Sequence, residues 1–319
     1  MRLEAPLEAP LVDELFELWE AIFGGPIDVT PEALLGHESA QTRMTVYLRR
    51  RSGKLAGACL LAVSRGLPSL GGFGEVATSP EVRRRGLASE LCRHAVDDFR
   101  ERGGQGLFLG TDNPDAARIY YRLGWRKLAG ANVMANISNG RSPEEFLVDY
   151  FRDLGPATVK AATPADRVPM IPLLVSPHDW QVLDSNAAML STRYAVQGSC
   201  LGLYRRYSAV VEDGQGAWFS AVTEGGYVVG LSTARLDGDG GCRVDGFTHK
   251  AHVRSWAELI RAAGDWGAGR GASSTWADVS AEDEEKQSLF ESIGFRNTGP
   301  GEPFDLGGRH VAALRFERR

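Results

Sequence analysis

Arg83, Arg84 and Arg85 stand together in VATSPEVRRRGLA, the stretch from Val76 to Ala88, and are followed at once by Gly86, Leu87 and Ala88. A guanidinium offers fork-shaped donors to phosphate oxygens. Gly86 and Ala88 keep bulk away from the backbone, so a diphosphate can approach it closely. Ahead of the arginines, Gly71 to Thr78 (GGFGEVAT) is a short apolar run halted by Ser79-Pro80, which suits a strand. Beyond the glycine, Leu87, Leu91, Ala95 and Phe99 recur at helical spacing. Gly86 therefore sits near a helix start, where unpaired N–H groups and about half a positive charge attract an anion. The stretch reads as a loop that holds pyrophosphate. Taken alone, it reads more readily as a solvated corner, and a second motif is needed to overturn that.

That motif follows. GLFLGT, from Gly106 to Thr111, reads as a buried strand and leads into NPDAARIYYRLGW, with Asn113, Ala116, Tyr120, Gly124 and Trp125. The pair resembles the GNAT superfamily of acyl-CoA-dependent N-acetyltransferases, whose motifs read Gln/Arg-x-x-Gly-x-Gly/Ala and then Asn-x-x-Ala-x-x-x-Tyr-x-x-x-Gly-aromatic. Every position of both is filled, in order. The resemblance implies acetyl-CoA as cosubstrate, contacted by Val76, Ala77, Thr78, Arg83, Arg84, Arg85, Gly86, Leu87, Ala88, Ser89, Asn113 and Ala116, with no metal.

Acetylation of an amine by a thioester needs a neutral nucleophile, a stabilised oxyanion and a proton for the departing thiolate. The resemblance gives the last role to Tyr120, whose phenol has an ordinary pKa of about 10 against about 8 to 9 for the thiol. One of Tyr120 and Tyr121 is also expected to pack the helix against the sheet. A backbone N–H near Val76 to Thr78 is the expected oxyanion donor, because strands four and five splay apart in the resembled fold. Glu75 and Asp112 are the candidate bases, beside a water relay, although Glu75 also reads as a solvent-facing strand residue and Asp112 as a helix cap. Asn113 reads both as a partner for the pantetheine amides and as a cap. For His94, His178, His249, His252 and His310, surface or packing roles are expected.

The 319 residues, 43% of them hydrophobic, suffice for two domains with substantial cores. A net charge of −5 points to neither nucleic acid nor an anionic membrane, and makes the arginine run a local feature. The apolar runs are too short to span a bilayer and MRLEAPLEAP lacks an apolar signal segment, so a cytoplasmic protein is expected. Cys59, Cys92, Cys200 and Cys242 are widely spaced, which predicts neither a metal nor a disulfide framework.

In chain order, strands are expected at 1–3, 45–50, 55–63, 71–78, 106–111, 125–128 and 132–137, with helices at 10–23, from Pro31, from Leu87 and at 116–123. A helix at 143–154 leads to Gly155-Pro156. The pattern then restarts: a strand at 158–161, a helix at 164–174, a hairpin at 218–234, a strand at 242–248, a helix at 253–263, strands at 275–279 and 310–316, and SLFESIGF (288–295) echoing YYRLGW. The expected fold is mixed α/β: two GNAT-like domains in tandem, each a mostly antiparallel twisted sheet flanked by helices. Residues 1–140 form the acetyl-CoA domain, 141–156 a linker helix and 157–319 a degenerate copy. Aligning Ala257-Glu258-Leu259 with Ser89-Glu90-Leu91 puts Arg254 at the Gly86 position, Trp256 at the Ala88 position and Phe290 at the Tyr120 position, so the second copy is expected not to bind acyl-CoA in the family manner. The expected activity is acetyl transfer to a primary amine by direct attack in a ternary complex, the acceptor being a small molecule or a peptide amine. A homodimer through the second sheet is left open. Two alternatives stand beside this: a non-catalytic acyl-CoA sensor, and an amino-sugar acetyltransferase like the mycothiol synthases, which keep their chemistry in the other copy.

Overall fold

The computed structural model describes residues 1–195 and 198–318. The chain divides into two compact units, Met1–Tyr150 with Thr163–Ile171 and Gln197–Arg205, and Phe151–Ala162 with Pro172–Val196 and Arg206–Arg319. Two short segments from the second half of the sequence thus belong to the first unit.

The first unit opens with β1 (Arg2–Glu4) and α1 (Ala9–Phe23), whose Val12, Leu15 and Trp19 form the buried stripe and whose end is set by Gly24 at φ 63°. In α2 (Pro31–Leu34) Thr30 accepts the Ala33 N–H and Pro31 needs no partner for its missing N–H. Next come β2 (Thr42–Arg51) and β3 (Lys54–Ser64), joined through Ser52 and Gly53, both at positive φ, a geometry that suits a tight hairpin. They lead to β4 (Leu70–Thr78), α3 (Leu87–Glu101), β5 (Gly106–Gly110), α4 (Pro114–Arg122), β6 (Arg126–Lys127), β7 (Val133–Ile137) and α5 (Pro143–Tyr150). Leu91, Cys92, Ala95, Val96 and Phe99 of α3 pack on Phe73, Leu107 and Trp125 to form the core beneath the sheet. Truncating a side chain buried as Phe99 is costs about 3–5 kcal/mol.

The sheet runs β1-β2-β3-β4-β5-β7-β6, antiparallel except between β4 and β5. That parallel pair is short. It holds from Leu70 beside Gly106 to Gly72 beside Phe108 and then ends, so the two strands part over Phe73–Thr78. On its other side β4 pairs Ala77 with Ala58 and Gly74 with Leu60, leaving Glu75 and Val76 opposite Cys59 alone. This is a β-bulge, and Glu75 takes φ 52° there, a conformation non-glycine residues adopt at a cost.

The second unit repeats the plan. Its elements are β8 (Ala157–Ala161), α6 (Met170–Val175), β9 (Val182–Asp184), β10 (Met189–Leu190), α7 (Gly202–Val211), β11 (Gly216–Thr223), β12 (Val228–Leu236), β13 (Gly241–Thr248), α8 (Trp256–Gly269), β14 (Ser274–Ser280), α9 (Glu284–Ser292), β15 (Arg296–Pro300), β16 (Phe304–Asp305), β17 (His310–Val311) and β18 (Ala313–Arg318), with the first residues of α6 and α7 counted in the first unit. Read from β8, the large sheet runs β8-β11-β12-β13-β14-β18-β15, which matches the first sheet strand for strand. Its one parallel pair, β13 with β14, also falls in the same place. The expected fold class, two mixed sheets flanked by helices, is the one observed.

Local boundaries differ where backbone geometry overrides the apolar pattern. The helix expected at 143–154 stops at Tyr150, ahead of Asp153 and Gly155, both at positive φ. The one expected at 164–174 begins as a single 3-10 turn closed by a Thr163–Asp166 capping box, and α6 starts only at Met170. Helix α7 was not expected, although Leu203, Tyr207 and Val210 carry its spacing and are all buried.

Candidate acyl transfer site

A cleft of about 1160 Å³ in the first unit opens where β4 and β5 part. Its walls are the β4 bulge, the start of α3, the exit of β5 with α4, and the turn after α1.

At one end, Gly86 caps α3 at φ 80°, with no side chain satisfying the first N–H groups. A Cβ added there would meet nothing within 4 Å, so the backbone faces open space. Arg83 and Arg84 line this end and are exposed, the first donating Nε–H to the Thr78 carbonyl at 3.3 Å. Val76, Thr78, Leu87, Ala88, Ser89, Asn113 and Ala116 also line the cleft. Ala77, 1% exposed, and Arg85 do not. Ala77 alternates to the opposite face of the strand from Val76 and Thr78, and Arg85 is exposed.

Tyr120 lines the cleft while its ring, 6% exposed, packs 6.0 Å from that of Trp125. Burial and the neighbouring thiols of Cys92, Cys59 and Cys200 push its phenol well above the ordinary tyrosine range, so it keeps its proton. Tyr121 is 47% exposed. The packing role and the cleft role therefore fall on the same tyrosine. Asn113 accepts the N–H groups of Asp115 and Ala116 at 2.9 and 3.3 Å and caps α4. Asp112 is exposed on the cleft wall.

Glu75 does not face solvent: the bulge turns it into the cleft at 8% exposure. Its Oε1 accepts the Asp28 N–H at 2.9 Å. Burial first, and then the charge of Asp28, lift its carboxyl to about 7, against the pull of that N–H and of Arg205. Asp28, also on the cleft wall, is raised by burial and drawn back by the Ser199 hydroxyl, the Gly202 N–H, Arg205 and Arg167. Sequence reasoning missed Asp28 and Ser199. The only signal for Asp28 was a lone acid between Ile27 and Val29, two apolar residues that prove to be buried.

Segment 198–202 explains Gly72 and Gly74 of β4 and Gly110 of β5. Added Cβ atoms at Gly72 and Gly74 would meet the Leu201 side chain at 2.5 and 2.8 Å, and one at Gly110 would meet the Ser199 backbone at 2.3 Å. The Cys200 thiol lies 3.2 Å from the Phe108 carbonyl, at the point where the strands part.

Residues 12–125 match the family described as Acetyltransferase (GNAT) family. This region is a GNAT acetyltransferase domain. A protein of Agrobacterium fabrum named acetyltransferase Atu2258 is 28% identical over 106 residues, which is 33% of this chain and 72% of that one. Among solved structures, a spermidine N-acetyltransferase SpeG chimera from Vibrio cholerae and hSSAT aligns at 18% identity and a TM-score of 0.40, covering 51% of this chain and 95% of the other. The ribosomal-protein-S5-alanine acetyltransferase of Vibrio fischeri aligns at 12% identity and a TM-score of 0.40, covering 51% and 93%. The GNAT region holds the arginine loop, the bulge and Tyr120 together.

In the second unit the matching positions are filled. Register between β12 and β13 is unbroken from Gly230 with Thr248 to Leu236 with Cys242, so β13 has no bulge. Trp256 is fully buried and donates its indole N–H to the Gly246 carbonyl at 2.9 Å. Phe290 packs edge-on against it at 4.8 Å. Lys286, third after the cap of α9 as Ala116 is third after the cap of α4, buries its ammonium 2.6 Å from Asp245 and 2.9 Å from the Val182 carbonyl.

Proposed function

We propose that this protein transfers the acetyl group of acetyl-CoA to a primary amine, with residues 1–140 as the catalytic copy and 157–319 as a copy that has lost its cofactor site. The observation that carries the reading is that one cleft gathers an uncapped helix start with arginines, a strand bulge, a proton-retaining phenol and a carboxyl poised near neutrality. The diphosphate would lie against the α3 start and Arg83–Arg84, and the thioester at the β4 bulge. A backbone N–H at Val76–Thr78 would face the carbonyl oxygen.

The acceptor arrives as an ammonium. Glu75, the best-placed base, takes one proton, and the freed lone pair forms the N–C bond to the acetyl carbon. As the tetrahedral intermediate collapses, the C–S bond breaks and Tyr120 gives its proton to the thiolate. The acetylated nitrogen sheds its second proton, and the phenol is restored from solvent. The net products are the amide, free CoA thiol and one proton. Asp112 lies exposed on the wall, without the shelter from water that Glu75 has. An acyl-CoA sensor would need the arginine loop but not a buried phenol in the cleft.

The test is release of CoA thiol from acetyl-CoA against a panel of amines, with Tyr120→Phe alongside. Turnover that falls by about 10- to 1000-fold in the variant, while acetyl-CoA affinity holds, is expected for an acid in this position. Equal turnover would remove Tyr120 from the chemistry. Tight acetyl-CoA binding with no release on any amine would favour the sensor.

A further inference from the structure

The strands that part to open the cleft carry glycine where they face residues 198–202. Gly72 and Gly74 lie two residues apart, hence on one face of β4, and the room that their missing side chains leave is taken by Leu201. On β5, a Cβ at Gly110 would meet the Ser199 Cα at 2.3 Å and the Gly198 carbonyl at 2.5 Å. Glycine weakens a strand interior and marks a place where another backbone comes close. The inserted segment is also anchored. Ser199 donates its hydroxyl to Asp28 Oδ2 at 2.6 Å and accepts the Gly202 N–H at 3.0 Å, and Arg205 just beyond donates to the Ile27 carbonyl at 2.7 Å. Cys200 and Leu201 are each 1% exposed. The Cys200 sulfur lies 3.2 Å from the Phe108 carbonyl and 3.8 Å from the Phe73 carbonyl, one on each strand, and the ladder between those strands stops there, at Gly72 beside Phe108.

We infer that residues 198–202 are a wedge that sets the width of the opening between β4 and β5, and that Cys200 and Leu201 are positioning residues for acyl transfer. The inference rests on the acetyltransferase reading and deepens it. The two sides of the proposed chemistry hang from the two parted strands: the amides of Val76–Thr78 belong to β4, and Tyr120 belongs to α4, into which β5 leads. A shift of one strand against the other changes the distance between the oxyanion donor and the proton donor, and a misplacement of about 1 Å costs about 100-fold in rate. The wedge acts through both strands, since Leu201 bears on β4, Ser199 on β5 and Cys200 on each. The phosphate end stands apart from it. Arg83, Arg84 and the α3 start follow β4 within one short loop, so their mutual placement does not depend on where β5 lies. Loosening or overfilling the wedge therefore harms the acyl end of the ligand and spares the phosphates.

The experiment compares two ligands on the full chain by calorimetry: acetyl-CoA, which spans the cleft, and the phosphorylated adenosine fragment of CoA without its pantetheine, which reaches the phosphate end alone. Gly74→Ala drives a methyl against Leu201 and should weaken acetyl-CoA about tenfold, with the fragment held within about twofold. Leu201→Val draws that side chain back, so the double variant Gly74→Ala/Leu201→Val should recover most of the loss. Cys200→Ala should likewise weaken acetyl-CoA and spare the fragment, and Cys200→Ser, which keeps a donor beside the Phe108 carbonyl, should restore the affinity. Parent-like acetyl-CoA affinity in either single variant, Gly74→Ala or Cys200→Ala, would overturn the wedge, as would a double variant no better than Gly74→Ala. Parallel loss of both ligands would overturn it too, because a general loss of fold does not distinguish the two ends. A parent chain that fails to bind acetyl-CoA is a separate outcome, seen before any substitution is made, and refutes the acetyltransferase reading.

Discussion

The backbone N–H of Asp28 donates to Oε1 of Glu75 at 2.9 Å, tying the turn after α1 to the β4 bulge. Glu75 therefore sits beside a second acid as well as out of water, and its carboxyl is lifted to about 7. Arg205 faces both groups and Arg167 faces Asp28, which limits the rise. A base must be deprotonated, so kcat/KM should climb with pH up to about 7 and level off above it. Glu75→Gln should lower kcat by about 10²- to 10⁴-fold and abolish that limb. A pH profile of the variant that still bends at the same place would assign the limb to another group.

The same shift bears on stability. The folded carboxyl holds its proton where the unfolded one has lost it, so the chain loses stability as pH rises from the ordinary glutamate range through about 7. Glu75→Gln is free of that loss. By thermal melting followed through the first unit, the variant should match the parent near pH 4.5 and exceed it at pH 8, by at most about 3 kcal/mol. A difference that stays flat across this range would contradict the burial of the charged form.

Gly86 stands at φ 80° with open space around its missing side chain. A residue with a Cβ there bears about 1–2 kcal/mol of backbone strain, which a chain of this size tolerates. Gly86→Glu should fold but lose acetyl-CoA binding at least 100-fold, because bulk and negative charge enter where the phosphates would lie. Gly86→Ala should weaken binding far less. Calorimetry decides the matter, and wild-type affinity in the glutamate variant would remove the loop from the site.

The unbroken β13 register leaves the second unit without the strand bulge of the first, and a fully buried Trp256 stands at the first position of α8. Titration with acetyl-CoA should therefore give one molecule bound per chain. A stoichiometry near two would show that the second copy opens to admit one.

Lys286 and Asp245 are both 0% exposed and 2.6 Å apart. Lys286→Met leaves Asp245 as a buried charge without its partner, beside Asp184, whose carboxyl burial and Asp245 already raise to about 7. A loss of about 3–5 kcal/mol from the second unit's urea transition is expected. The double variant with Asp245→Asn should recover most of it.

The two motifs were legible because their constraints are local. A helix start that leaves its amides open needs Gly86 next to the helix it begins, and the α4 face that presents Tyr120 is set by spacing within nine residues. Most strands of the two large sheets followed for the same reason, since apolar period and turn residues are short-range signals, whereas the exposed edge strand β15 carries no apolar alternation to mark it. Lys286 was passed over although it stands at the Ala116 position: a lysine in a helix reads as solvated until the fold shows two carbonyls and Asp245 waiting for it.

By itself, then, the sequence determined the open, arginine-flanked helix start at Gly86, the helix that carries Tyr120 and the repeated sheet, all of which depend on neighbours a few residues apart. Tertiary structure decided the polarity of the cleft end away from the arginines. Asp28, Glu75 and Ser199 are separated by 47 and 171 residues along the chain from Asp28. Their charges act on one another only when folding brings them within a few ångströms and takes them out of water, since Coulomb interaction and desolvation depend on distance in space and on burial.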